Sequence, residues 1–171
     1  MSGDIILVLG GVRSGKSRHA EGLVTARPAP WIYVATAEAW DEEMRARIHR
    51  HREDRGPGWT TVEEPLDLPD VLERVAVAGT AVLVDCLTLW LSNLMGAERD
   101  VATETARLLD ALDRVAGTVV FVSNEVGLGI VPDNALARRF RDDAGRLHQA
   151  VAARAQRVVF VVAGLPMVLK G

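Results

Sequence analysis

Cysteine occurs once in this chain of 171 residues, at Cys86. A lone thiol excludes an internal disulfide and any metal centre built on a cysteine cluster, and it fits a reducing compartment. No apolar run approaches the ~18 residues of a membrane-spanning helix. Asp4 interrupts the first apolar stretch, so a signal peptide is not expected either. Charge of one sign is lacking too. Twenty Lys and Arg stand against 23 Asp and Glu, a net charge of −3, so no general attraction to nucleic acid or to an anionic membrane follows. Internal repeats, low-complexity stretches and interdomain linkers are absent. What remains is an apolar fraction of 49 %, enough to fill the core of one domain. The expectation is a cytoplasmic protein with a single domain over residues 1–171.

The stretch 5–17, IILVLGGVRSGKS, organises the rest. Ile5 to Leu9 reads as a buried parallel strand, and it runs straight into Gly10-Gly11-Val12-Arg13-Ser14-Gly15-Lys16-Ser17. That is G-x-x-x-x-G-K-[ST], the P-loop, in its context of strand, glycine loop and helix. Gly10 and Gly15 let the backbone turn tightly around a phosphate. Loop N–H groups and the following helix N-terminus point at that anion. Lys16 would reach the β- and γ-phosphates, and the Ser17 hydroxyl would ligate Mg²⁺.

Downstream, helices are expected from Lys16 to Arg27, over 39–55, from Asp67 to Val77, over 87–95, from Val101 to Val115, and from a cap at Asp133 to Gln156 with Leu136 in its apolar stripe. Asp67 is the expected N-cap of the third. Strands are expected at Trp31–Ala35, Trp59–Val62, Thr80–Val84, Thr118–Val122 and Val158–Val162, with a short edge strand at Met167–Leu169. Strands alternating with helices imply an α/β fold: one P-loop domain with a mostly parallel sheet flanked by helices.

Chemistry-bearing residues gather at strand ends. Asp85 follows four apolar residues and reads as a Walker B carboxylate for Mg²⁺, on a strand that would lie beside the first; the other reading is a helix cap. In RIHRHREDR (47–55), Arg47, His51 and Arg55 stand four apart on one helical face. Guanidiniums hold phosphate oxygens with forked hydrogen bonds. Their charge also disfavours protonation of the histidine between them, and a neutral imidazole is a competent nucleophile toward phosphorus. His49 is turned roughly 200° away. A solvated basic helix is the alternative. Glu63 and Glu64 suit a sugar hydroxyl or open solvent. Asn124 and Glu125 end the fourth core strand, where a carboxylate either accepts a hydroxyl proton or orders a loop. Arg138, Arg139, Arg141 and Arg146 pair with Asp142 and Asp143, stay solvated, or face a phosphate.

Taken together, GGVRSGKSRHAE, the strand ending in ATA, ARIHRHREDR followed by WTTVE, VDCLTLWLSN, and VSNEVGLGIVPDN with ARRFRDDAGRLHQ resemble the bifunctional adenosylcobinamide kinase/adenosylcobinamide-phosphate guanylyltransferases of cobalamin biosynthesis. The resemblance runs in order from residue 5 to residue 169. It implies a RecA-like P-loop domain and two reactions. In the first, ATP or GTP phosphorylates the aminopropanol hydroxyl of adenosylcobinamide. In the second, a histidine attacks the α-phosphorus of GTP, and the bound GMP passes to adenosylcobinamide phosphate. The family's histidine stands three residues after the isoleucine of the ARI segment, which here is His51, with Lys16 as its catalytic companion in the P-loop. Nucleotide contacts carry over to Gly10–Ser17, to Ala35, Thr36 and Ala37, to His51, Arg52, Glu53 and Asp54, to Glu63 and to Asp85. Ser17 and Asp85 are the implied Mg²⁺ ligands, and a homotrimer is implied. Asp85 replaces the glutamate of some relatives, and the 96–100 loop is short. A single-function P-loop kinase and a nucleotide switch are the rival readings.

Overall fold

Among the described residues the chain forms seven strands and six helices in a computed structural model, which describes residues 3–38 and 41–171 and leaves out the side chains of Arg47, His51 and Arg52. The order is β1 (Ile5–Gly10), α1 (Lys16–Thr25), β2 (Trp31–Ala35), α2 (Glu42–Asp54), β3 (Trp59–Glu63), α3 (Leu68–Val75), β4 (Ala81–Asp85), α4 (Leu87–Gly96), α5 (Val101–Arg114), β5 (Thr118–Asn124), α6 (Ala135–Arg154), β6 (Arg157–Val162) and β7 (Leu165–Lys170). The sheet order is β3-β2-β4-β5-β1-β6-β7. All pairings are parallel except β6 with β7.

Strand periodicity sorts the core onto two faces. Ile5 and Leu7 join the cluster under α3, α4, α5 and α6, with Val84, Trp90, Leu91, Phe121 and Leu147. Ile6 and Val8 point the other way, to Ala20 and Val24 of α1, with Leu83, Val122 and Val159. Near-continuous apolar runs are what a parallel sheet covered on both faces requires. Trp90 is fully buried, and its indole N–H donates to the Leu66 carbonyl at 2.8 Å. Trp31 and Trp59 pack at 5.7 Å against each other on the α1 side; Trp40 lies outside the described residues.

Several expectations are corrected. Asp85 does not end a strand beside the first: β5 stands between β1 and β4. Asn134, not Asp133, caps α6, its side chain accepting from the Ala137 N–H at 3.1 Å. Asp67 occupies the cap position of α3, but its carboxylate is taken by Arg99 at 2.7 Å and caps nothing. Leu136 leaves the core stripe and is 64 % exposed, because it lies in the first turn of α6, beyond the packed stretch. The C-terminal edge strand is a full six residues, and all six are exposed.

Parallel register brings the strands' carboxyl ends to one edge. Gly10 stands opposite Asn124, and Ala35 stands opposite both Glu63 and Asp85. Residues far apart in sequence meet there.

Candidate active site

The glycine loop is built as its residue types demand. A Cβ on Gly10 would sit 2.4 Å from Ser14 Oγ and 2.9 Å from the Val161 carbonyl, so only glycine fits. Gly15 has φ +91°, and a side chain there would press on Gly164. Ser14 is buried, and its carbonyl accepts from the Gly164 N–H at 2.7 Å, pinning the loop to the turn after β6. Lys16 opens α1 and donates to the Gly11 carbonyl at 3.1 Å, so its ammonium lies along the loop. Val12, Arg13 and Ser17 are exposed, and a cavity of about 340 Å³ is lined by 13–18.

Ser17 and Asp85 line one cavity, of about 310 Å³, with Glu21, Tyr33, Asp54, Arg55 and Leu83. Both are hard oxygen donors, the kind Mg²⁺ takes. Among the described residues no cluster of three His, Cys, Asp or Glu forms a closed cage. An ion held by Ser17 and Asp85 would therefore complete its shell with phosphate oxygens and water, so the donor set fits Mg²⁺.

Behind Asp85 stands a residue that motif reading missed. The Tyr33 hydroxyl donates to Asp85 Oδ2 at 2.7 Å, and the Arg55 guanidinium lies 3.4 Å from the Tyr33 ring centroid. Burial, then the neighbouring carboxylate, pushes the Tyr33 phenol far above its ordinary range, so it stays protonated and orients Asp85. The one available signal was position: Tyr33 is the chain's single tyrosine, two residues before the end of a strand that reaches the active edge.

A second cavity of about 310 Å³ shares Tyr33, Arg55 and Asp85 and adds Ala35, Ala37, Met44, Ile48 and Leu89. Met44 and Ile48 belong to α2, so this helix roofs the edge. The Asp41 carboxylate caps it, accepting from the Met44 N–H at 2.7 Å. His51 lies on α2 three positions after Ile48; its side chain and that of Arg52 are outside the described residues. His49 is exposed and 3.5 Å from Glu53, a surface pair. Asp54 reaches the Ser17–Asp85 cavity, whereas Glu53 does not line it.

Thr36 is fully buried. Its hydroxyl donates to the Cys86 carbonyl at 2.8 Å and accepts from the Cys86 N–H at 2.9 Å, joining the ends of β2 and β4. Thr36 therefore shapes the edge, while Ala35 and Ala37 line it. Glu63 is exposed at the end of β3. Glu64 instead organises a turn: Oε1 accepts from the N–H groups of Leu66 and Asp67 at 3.0 and 2.8 Å. The α6 arginines are engaged by neighbouring groups. Arg138 donates to the Pro132 carbonyl, Arg141 donates to those of Ile130 and Gly127, and Arg139 and Arg146 flank Asp143.

His148 of α6 belongs to no sequence motif. It is buried, with Nε2 2.6 Å from the Oγ of fully buried Ser123 at the end of β5. The signal was available: Ala144, Leu147, His148 and Val151 form an i, i+3, i+4, i+7 stripe. Burial holds the His148 imidazole below its usual value, against an opposing pull from Glu125. His19 is shifted the same way by burial and by Arg157. An unfolded histidine binds its proton near 6.5, so the native state resists a proton that the unfolded state accepts. Stability is thus complete above that pH and is lost as pH falls through the lower folded values. The thermal midpoint should drop below about pH 6.5, and His148→Gln should make that decline shallower. An equal slope in both proteins, followed by circular dichroism, would show that His148 does not contribute.

The sequence pattern of the family described as Cobinamide kinase / cobinamide phosphate guanyltransferase matches residues 6–169. The Bifunctional adenosylcobalamin biosynthesis protein CobP of Pseudomonas aeruginosa is 52 % identical over 167 residues, covering 96 % of each chain. The corresponding CobU protein of Salmonella typhimurium is 41 % identical over 181 residues, covering 97 % of this chain and 99 % of its own. Among solved structures, a Pyrococcus horikoshii protein superposes with a TM-score of 0.60 at 10 % identity, over 99 % of this chain and 87 % of that one. The P4 protein of bacteriophage phi6 in complex with ADP superposes with a TM-score of 0.52 at 18 % identity, over 96 % and 54 %. At such identities these two speak to the fold alone.

Proposed function

The chain belongs to the cobinamide kinase / cobinamide phosphate guanyltransferase family, and from that premise we propose that it phosphorylates adenosylcobinamide and then transfers GMP from GTP to the product. The observation that carries this reading is the meeting of three elements at one edge. They are the P-loop with Lys16 and Ser17, the Asp85 carboxylate across a shared cavity, and α2, which roofs the neighbouring cavity and bears His51.

The two reactions strike different phosphorus atoms. The P-loop grips the β- and γ-phosphates, with backbone N–H groups and Lys16 opposing the negative charge. A Mg²⁺ ion held by Ser17 and Asp85 would supply further neutralisation of that charge. Tyr33 keeps Asp85 oriented toward the cavity. Attack on the α-phosphorus needs a nucleophile on a separate element, and α2 supplies it. His51 forms the N–P bond as the bond to the bridging oxygen breaks and pyrophosphate leaves. The phosphoramidate then passes GMP to the acceptor phosphate, the imidazole departing as a good leaving group once protonated. Ala35 and Ala37 line the nucleotide cavity, Glu63 flanks it on β3, and Arg52, Glu53 and Asp54 follow the nucleophile on α2.

The finer expectations belong to the same proposal: cytoplasmic residence and assembly as a homotrimer. Exposed Leu165, Met167 and Leu169 on β7 give subunits an apolar edge to share. No described helix is long and apolar enough to cross a membrane.

Label transfer tests the reading. With Mg²⁺ and α-labelled GTP the denatured protein should carry acid-labile, base-stable label, whereas γ-labelled nucleotide should label adenosylcobinamide. Acceptor labelling without protein labelling would leave a single-function kinase. Hydrolysis alone, quickened by a protein partner, would point to a nucleotide switch.

A further inference from the structure

We propose that Glu125 accepts the proton of the acceptor hydroxyl in the phosphoryl-transfer half of the reaction, an assignment that rests on the kinase reading above. Its backbone is tied to the phosphate loop. β5 lies between the P-loop strand and the Asp85 strand, and the Glu125 N–H donates to the Gly10 carbonyl at 3.0 Å. The strand end is held from two helices. Ser123 is bonded to His148 of α6, and Asn124 Nδ2 donates to Thr88 Oγ1 of α4 at 2.9 Å. Such anchoring fixes where the next carboxylate starts.

The carboxylate is half-exposed. Its Oε1 accepts from the Gly127 N–H at 2.5 Å, and a Cβ on Gly127 would come within 2.9 Å of that oxygen. Oε1 is engaged in this loop bond, which leaves Oε2 for the substrate proton, and the titratable group facing the carboxylate is the His148 imidazole of α6. The next residues form an apolar lip: Leu128 is 81 % and Ile130 96 % exposed. Glu125 therefore stands between the phosphate loop and a surface suited to the apolar bulk of a large acceptor.

Two other carboxylates at strand ends are placed less well. Asp85 already accepts from Tyr33 and shares the metal cavity with Ser17. Glu63 ends β3, with β2, β4 and β5 between it and the P-loop strand. In the step, the acceptor oxygen bonds to the γ-phosphorus as the bond from that phosphorus to the bridging oxygen breaks. The electron pair of the broken bond leaves with the nucleoside diphosphate. The hydroxyl proton passes to Glu125 Oε2.

Glu125→Gln separates catalysis from loop ordering, because the amide oxygen still accepts from the Gly127 N–H. The variant should lose about 10²-fold or more in kcat for phosphorylation of adenosylcobinamide, the usual range for a lost general base. Its nucleotide KM should move by less than about 3-fold, the pattern of an interaction made only in the transition state. Labelling by α-labelled GTP should persist and reports an intact fold. Kinase activity near wild type would overturn the assignment and leave Glu125 a loop-ordering residue. Equal loss of both half reactions would also overturn it. Wild-type protein that labels itself with GMP but never phosphorylates adenosylcobinamide would overturn the kinase reading itself.

Discussion

His51→Ala should abolish protein labelling by α-labelled GTP, to background, while γ-phosphate transfer to adenosylcobinamide should continue. The expectation follows from α2. Met44 and Ile48 line the cavity that contains Ala35, Ala37 and Asp85, and His51 lies one helical turn beyond Ile48. The proposed nucleophile and the P-loop thus stand on different elements, so one half reaction should be removable without the other. His49→Ala is the matched control. His49 is 71 % exposed and pairs with Glu53 on the surface, so its loss should leave labelling within about 2-fold. Label lost in His49→Ala but retained in His51→Ala would reverse the assignment.

Lys16→Ala should have the opposite signature, with both half reactions failing together. Lys16 lies along the loop against the Gly11 carbonyl, where its ammonium would serve the β- and γ-phosphates. Those phosphates carry the transferring group in one reaction and the departing pyrophosphate in the other. Removing a preorganised charge of this kind costs about 10²–10³-fold in kcat, and both rates should fall by at least that much. The fold should survive, because the substitution deletes no core contact: Ala20 and Val24 make the buried face of α1. Steady-state rates of both reactions, with thermal unfolding as the stability control, check this. Loss confined to one reaction would place Lys16 on one phosphate only.

The glycine loop was legible because its motif is one contiguous stretch, although the structure shows that Gly10 and Gly15 also answer to distant backbone at Val161 and Gly164. The α2 segment was legible as a helix for the same reason, and the spacing from Ile48 to His51 is a local fact. Caps were readable less well. Asp133 and Asn134 are both good capping types, and only the backbone path after Pro132 selects the second. Asp67 shows the same limit, since Arg99, thirty-two residues away, takes its carboxylate.

By itself, then, the sequence determined the element order, the glycine loop and the carboxylates at strand ends. These follow from steric rules and periodicities that act within a few residues. The tertiary structure alone decided the rest. It inserted β5 between the P-loop strand and Asp85, which brings Glu125 to the phosphate edge. It joined Ser17 to Asp85 across one cavity and set Tyr33 and Arg55 behind the latter. It sealed Ser123 against His148. Strand order and side-chain meetings across 25, 52 or 68 residues depend on which faces of the whole chain are buried together, and no local spacing records that.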